Sequence, residues 1–419
     1  MTSLDEKLDS SAAPLIGVAG VIVAMALVAI GNGLMYVYVP VRLGAEGYAP
    51  AWAGSILTGL SAGGLAGCLL TGWLVRRVGH ARAYMVFSTL VILSHLAIAA
   101  VVDPLVWVTG RALYGFAVCG LFIVAQSWLN DAVANNIRGR VMAVFYVAYI
   151  VCLGLGSYLL AFVNLGDGSA PLLCILFAAL SILPVGLTRL PQPPPPAGAS
   201  VAIRDAWRIS PVAVAGMLAV GGLSMMISGF APIHATAIGY DQQAVATLMF
   251  AMPLGTIVFQ LPFGWASDRT DRRYVLLAAS ALVAVAGIFA WRFDGAALPL
   301  MIAIYLIMGG ASDSIYSLSN AHAADRAAKD ELVTLSGTLL FLWSVSGFIA
   351  PGVGTMLTAI YGTQVFIPMS ITIAVVFCAF VIWRTTQTRA VPASETGGFI
   401  PISAQTPLPV DPQEPDRPG

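Results

Sequence analysis

Residues 72–82 read Gly72-Trp73-Leu74-Val75-Arg76-Arg77-Val78-Gly79-His80-Ala81-Arg82, and residues 264–273 read Gly264-Trp265-Ala266-Ser267-Asp268-Arg269-Thr270-Asp271-Arg272-Arg273. The two stretches begin 192 residues apart, both open on Gly-Trp, and both are basic. Each follows an apolar run long enough to cross a bilayer core of about 30 Å as a helix of roughly 20 residues. Working outward from these loops, apolar runs fall near 16–38, 50–72, 84–102, 104–126, 140–162 and 169–188. A second set falls near 210–232, 244–266, 275–293, 297–319, 332–356 and 362–384. The expectation is an all-α integral membrane protein of twelve transmembrane helices in two six-helix halves. An even number of spans per half makes the halves parallel repeats about an axis along the membrane normal.

Composition supports this. Of 419 residues, 58% are hydrophobic and only 10% charged, against about 25% charged in an ordinary soluble domain. So little charge cannot cover the exterior of a soluble fold of this length. The net charge of zero argues against nucleic acid, which calls for a basic face. Cys68, Cys119, Cys152, Cys174 and Cys378 all lie in apolar runs without zinc-ligand or CxxC spacing. They read as small buried hydrophobes with no disulfide. The four histidines are scattered, and no G-x-x-x-x-G-K-[ST] loop exists, so metal, cofactor and nucleotide sites are not expected.

Placing residue 1 in the cytoplasm puts 17 of the 20 Lys and Arg on that side. Arg42 and Arg292 fall outside and Arg111 within a span. This follows the positive-inside rule and predicts that both termini are cytoplasmic. Residues 1–15 are polar and acidic, unlike a secretory signal. The halves are expected at 16–188 and 210–384, joined by a Pro-rich linker over 189–209 that contains Pro191-Gln192-Pro193-Pro194-Pro195-Pro196. Residues 385–419 are polar and Pro-rich and read as a disordered tail.

The two basic loops resemble the G-x-x-x-D-R-x-G-R-R signature of the major facilitator superfamily. Gly264, Asp268, Arg269, Arg272 and Arg273 match it, with Asp271 in place of the usual Gly. In the first copy Gly72, Arg77 and Gly79 hold their places, while Arg76 stands where the acid belongs. Arg111-Ala112-Leu113-Tyr114-Gly115 is similar to the family's R-x-x-x-G motif. Gln126-Ser127-Trp128-Leu129-Asn130, with Arg138-Gly139-Arg140, resembles the E-S-W-L-N…R-G-R region of the YcaD-like branch, Gln126 replacing the acid. Residues 317–326 look like its counterpart in the second half. The resemblance implies that the basic loops act in gating, that spans 1, 4, 7 and 10 line a central cavity, and that the protein works as a monomer.

Charges inside a membrane are costly and face a cavity or a partner. Arg111 in the fourth span and Asp313 in the tenth are the two clear cases. Asp313 is expected either to take and release a coupling proton or to be a structural charge satisfied by neighbouring polar groups; for Arg111 a structural or gating role comes ahead of tuning that proton or holding an anionic group. Their depths differ, so a direct ion pair does not follow from the sequence. Helical spacing adds Asn32 and Tyr36; Gly115, Cys119, Phe122 and Gln126; Tyr305, Gly309, Tyr316 and Asn320; and Ser224 and Ser228. Trp128 is expected at the membrane interface. His234 reads as an interfacial residue or a pH-sensitive gate. Gly347 to Gly354 should give close helix packing. The expected function is secondary active transport of a small organic solute by alternating access, proton-coupled through Asp313. Uniport, or sensing on a transporter scaffold, are the alternatives. Arg preferred to Lys in an Ala-rich chain points to a bacterial inner membrane.

Overall fold

The structure is a computed structural model that describes residues 2–133, 135–188, 193, 201–328, 331–387, 397 and 399. Twelve helices in it are long and apolar enough to cross a membrane. The first six are Gly17–Ala45, Pro50–Val78, His80–Ala100, Pro104–Ala132, Ile137–Phe162 and Ser169–Leu187. The second six are Pro211–Ala237, Gln242–Ser267, Arg272–Arg292, Leu298–Ala324, Thr334–Tyr361 and Thr363–Gln387. We number them spans 1 to 12.

Local chemistry sets where the spans stop. Asp103 caps span 4, its carboxylate accepting from Leu105 N and Val106 N, and Pro104 occupies the first turn, where its missing N–H costs nothing. Asp241 and Asp271 cap spans 8 and 9 in the same way. Spans 2 and 3 are separated by Gly79 alone, whose φ of 82° suits only a residue without Cβ. The short breaks in the apolar sequence are thus true turns.

The repeat is visible in the packing. Span 2 packs on 4, 1 on 5 and 6, and 3 on 4 and 6; correspondingly 8 packs on 10, 7 on 11 and 12, and 9 on 10 and 12. The tightest pair uses glycine in both halves. A Cβ added at Gly63 would collide with the Ala112 carbonyl, and one at Gly115 with that of Leu60. In the second half, Gly255 meets the Leu306 carbonyl and Gly310 that of Gly255. With no hydrophobic drive between helices in lipid, such backbone approach supplies the dispersion contacts that hold them.

The halves join along spans 2 and 11 and along spans 5 and 8, seams that the repeat exchanges. They press closest at the end opposite the basic loops. There Gly44 meets Thr236, Gly54 meets Thr355, and Gly229 meets Leu57. Gln242 also donates to the Leu160 and Val163 carbonyls across the seam. Leu69, Leu93, Val144, Leu183, Val258, Ile288, Ile360 and Val376 are exposed around the perimeter, where lipid rather than water is their solvent.

Three expectations change. Ile203–Ile209, placed in the linker by sequence, is a seven-residue helix that buries Ala206 and sets Trp207 against Phe380. Trp128 is buried rather than interfacial, its ring 6.0 Å from His80 and 6.1 Å from Tyr84. Span 7 is not a uniform α-helix: Met225–Gly229 forms a π-helical turn. That turn breaks the four-residue spacing on which the pairing of Ser224 with Ser228 rested. Most of 189–200 and of 388–419 lies outside the described residues, the expected tail among them.

Candidate functional site

A cavity of about 150 Å³ lies between the halves, walled by Asn32 and Tyr36 of span 1, Ser61 and Cys68 of span 2, Tyr114, Gly115 and Cys119 of span 4, Met225 of span 7, and Trp343, Ser344 and Gly347 of span 11. A second, smaller pocket of about 20 Å³ adjoins it, sharing Tyr36 and Leu60 and lined also by Arg111, Ile56, Leu57, Gly229 and Ile233. The π turn of span 7 bounds both, through Met225 and Gly229.

The halves touch across this space through weak, separable contacts. The Tyr36 hydroxyl lies 3.7 Å and the Ser61 hydroxyl 3.5 Å from Met225 Sδ. Cys68 Sγ is 3.3 Å from Ser344 Oγ and 3.3 Å from Cys119 Sγ. Asn32 donates to the Tyr149 hydroxyl at 3.3 Å. Cys119, which the sequence placed on the Arg111 face, lines the cavity, and so does Cys68, which the sequence read only as a buried hydrophobe.

Arg111 is only 2% exposed. Its guanidinium carbon stands 4.4 Å from the centroid of the Tyr114 ring, and its NH1 nitrogen has no hydrogen-bond partner. Asp313, on the opposite half, accepts from Thr256 Oγ1 of span 8 at 2.7 Å, and the Ser224 hydroxyl faces the same carboxylate. No ion pair among the described residues joins Arg111 to Asp313, and neither charge has an ion-pair partner there. One turn further along span 10, Ser317 accepts from Gln260, which also faces Tyr146 of span 5. Asp313 thus sits at the seam of spans 5 and 8, not in the wall of either cavity.

The other sequence-named residues divide. Asn32, Tyr36, Gly115 and Cys119 line the large cavity. Tyr316 stands behind it, its ring edge-on to Trp343 at 6.4 Å. Gln126, Tyr305 and Asn320 are buried in helix packing and line neither cavity, Asn320 donating to the Tyr316 carbonyl at 3.0 Å. Ser61, Cys68, Trp343 and Ser344 were not singled out as lining residues, because spans 2 and 11 carry no charge there to draw notice. His234 is buried, with Nδ1 2.8 Å from Thr363 Oγ1 and Nε2 2.8 Å from Asp294 Oδ1. It ties span 7 to two loops at the closed end.

The basic loops differ in how they are held. Arg269 lies 4.2 Å over Trp265, and Arg77 5.6 Å over Trp73. Arg76 NH1 would stand 3.4 Å from a Cβ at Gly72, so the first loop is closely filled too. In the second loop, buried Arg272 pairs with Asp325 at 2.6 Å, bonds Ser267 at 2.9 Å, stands 3.6 Å from Asp268 and donates to the Gly397 carbonyl. Gly264 is covered by the Phe399 ring, and Phe399 N donates to Asp268 at 2.8 Å. Arg273 pairs with Asp271 at 2.6 Å. Burial pushes the Asp271 carboxyl up, but hydrogen bonds from Arg273, with the nearby Arg326 charge, outweigh it and hold the group below the usual carboxylate range.

The profile of the Major Facilitator Superfamily matches residues 21–212 and again 212–412. The chain belongs to this superfamily. It is 24% identical over 370 residues to the MFS-type transporter YcaD of Salmonella enteritidis, covering 86% of this chain and 94% of that one. YcaD of Salmonella typhi is 23% identical over the same span. In fold, it matches the nucleoside transporter NupG with a TM-score of 0.73 at 13% identity, covering 88% of this chain and all of NupG. The human organic anion transporter MFSD10 matches with a TM-score of 0.61 at 16% identity, over 88% of this chain and 99% of that one. This superfamily chain is a multi-pass membrane transporter.

Proposed function

We propose that the protein is a proton-coupled secondary transporter of a small organic solute, working as a monomer in a bacterial inner membrane with both termini cytoplasmic. The observation that carries coupling is Asp313: a half-buried acid in the middle of a membrane span, without an ion-pair partner among the described residues and bonded by Thr256 across the span 8–span 10 contact. A carboxylate in such surroundings can shed its charge by taking a proton, which removes the cost of moving it through a dry seam. Thr256 and Gln260 lie on span 8, whose contact with span 5 is one of the two inter-half seams. A proton gained or lost at Asp313 therefore changes hydrogen bonding where the halves must slide.

The cavity wall of amide, hydroxyl, thioether and aromatic groups suits an organic solute. With the basic loops in the cytoplasm, the closed glycine seam faces outward and the arrangement is inward-facing. Opening the other way requires Gly44, Gly54 and Gly229 to part from their partners while the basic loops come together. The test is solute binding by the purified chain, read as the rise in unfolding temperature across a broad panel of solutes at two pH values, with Asp313→Asn alongside. A native-state ligand raises apparent stability as RT ln(1 + [L]/Kd). The expected result is a pH-dependent solute shift that loses its pH dependence in Asp313→Asn. A shift indifferent to both pH and the substitution would leave uniport in place of proton coupling.

A further inference from the structure

Resting on the transport reading above, we infer that the solute is an organic anion whose carboxylate or phosphate is bound by Arg111 in the smaller pocket while its body occupies the larger cavity. The argument begins with an uncompensated charge. Arg111 is 98% buried, its NH1 donors meet no acceptor, and it lines the smaller pocket, whose about 20 Å³ of free space is enough for the oxygens of an acidic group but not for a whole solute. A buried guanidinium is tolerated when paired with an anion, because desolvation otherwise costs several kcal/mol. The titratable groups around it are Tyr36 from span 1, Tyr114 from its own helix, Cys174 from span 6 and His95 from span 3. None is a carboxylate. The Tyr114 ring supplies cation–π attraction on one face, which leaves the NH1 donors unsatisfied.

His95 stands nearby, 1% exposed and edge-on to Tyr114 at 5.2 Å, with its ring facing the Val91 carbonyl of its own helix. Asp313 cannot supply the missing charge, since its carboxylate is held by Thr256 in the other half. The counter-ion must arrive with the cargo. Arg fits this task because its planar fork matches the two oxygens of a carboxylate or phosphate. The wall shared by the two cavities, Tyr36 and Leu60, then sets the cargo's shape. The acidic end lies beyond Tyr36, and the body lies among Trp343, Met225 and Tyr114, with Asn32, Ser61 and Ser344 as its polar contacts. An amphipathic anion of aromatic or heterocyclic body meets that description; a cation is repelled by Arg111.

The test uses the full chain in detergent and matched probes: 3-phenylpropionate and 1-naphthyl phosphate, each beside its neutral relative, 3-phenylpropanamide and 1-naphthol, and beside 3-phenylpropylamine. Binding is read as the shift in unfolding temperature and by titration calorimetry. The expected result is that anions bind and neutral or cationic relatives bind at least tenfold more weakly. Arg111→Gln should weaken anion binding roughly 10- to 100-fold, the range for losing a charge-assisted hydrogen bond, and erase the preference for anions. Arg111→Lys should keep part of it. If Arg111→Gln does not fold, Arg111→Lys and the salt dependence of wild-type binding carry the test. Neutral probes binding as well as anions, an anion preference that survives Arg111→Gln, or no anion binding at all would overturn the inference. Anion binding equal in wild type and Asp313→Asn at every pH would retain it while removing the proton role, so the two failures are distinct.

Discussion

Span 4 and span 10 occupy the same place in the two halves, each locked by glycine to its neighbour, span 2 or span 8, yet they carry opposite charges at different depths. Arg111 stands one turn before the contact glycine Gly115, towards the closed end, and opens on a pocket. Asp313 stands just after its contact glycine Gly310, towards the basic loops, and bonds to the neighbouring helix. One repeat thus presents its charge to the cavity and the other to the seam. On the reading proposed above, the two halves divide the work: the first reads the solute, and the second reads the proton. An ion pair would couple the two charges directly, and none joins them among the described residues.

The sharpest way to break this comparison is to cross the two substitutions in proteoliposomes with an imposed proton gradient. Asp313→Asn should abolish accumulation of solute against its gradient, a loss of about 100-fold or more for an obligatory proton carrier, while leaving equilibrium binding within about threefold at high pH, where the native carboxylate is bonded only to neutral hydroxyls. Arg111→Gln should do the reverse, weakening binding while solute-driven proton uptake survives at saturating solute. If both variants lose binding equally, the division of labour is wrong and the charges act as one site.

A second pair of variants sharpens it through packing. Gly63→Ala drives a Cβ into the Ala112 carbonyl beneath the cavity, and Gly255→Ala drives one into the Leu306 carbonyl beside Asp313. Overpacking of this kind costs about 1–3 kcal/mol, so both should lower the unfolding temperature by similar amounts. Their functional effects should part: the first shifts solute affinity, and the second shifts the pH dependence of transport. Affinity and pH profiles measured on both decide the matter, and equal effects on both readouts would dissolve the distinction.

The fold was legible because lipid imposes one rule on every span, some 20 apolar residues with charge kept to the loops. Arg111 and Asp313 were legible for the same reason, as breaches of that rule. The walls supplied by Ser61, Cys68, Trp343 and Ser344 were not, because serine, cysteine and tryptophan suit helix packing and cavity lining equally well. Only the meeting of spans 2 and 11 decides which they do. Helical spacing also overreached. It placed Tyr305 and Asn320 on the Asp313 face, but a long tilted helix changes neighbours along its length, and those turns lie in protein rather than cavity. The π turn at Met225–Gly229 left no sequence signal beyond Gly229, where a Cβ would push the Leu57 side chain aside.

The smallest expected effect concerns the two basic loops, where the repeat departs from itself. The second holds Asp271 against Arg273, and the first has no acid within residues 72–82. Because the Asp271 carboxyl is held below its usual range, by Arg273 hydrogen bonds that outweigh its burial, the folded state binds its proton less tightly than the unfolded state. Its stabilising contribution is therefore complete above the unfolded value of about 3.9 and is lost as pH falls through the lower folded value. Unfolding temperature followed from pH 7 to pH 3 should show an acid-side fall that Asp271→Asn reduces. The change should be about 1 kcal/mol, the upper end for an exposed pair, because Arg273 and Asp271 keep only 4% and 10% of their side-chain surface in water. At pH 7 the variant should sit slightly below wild type, and the gap between the two should narrow as the pH falls below the ordinary carboxylate range. A gap that widens on acidification would reverse the sign and remove Asp271 from the lock. The first loop then supplies the control: without an acid of its own, Arg77→Gln should shift the curve by the same amount at every pH, so only the second loop should carry an acid-sensitive hold on its helices.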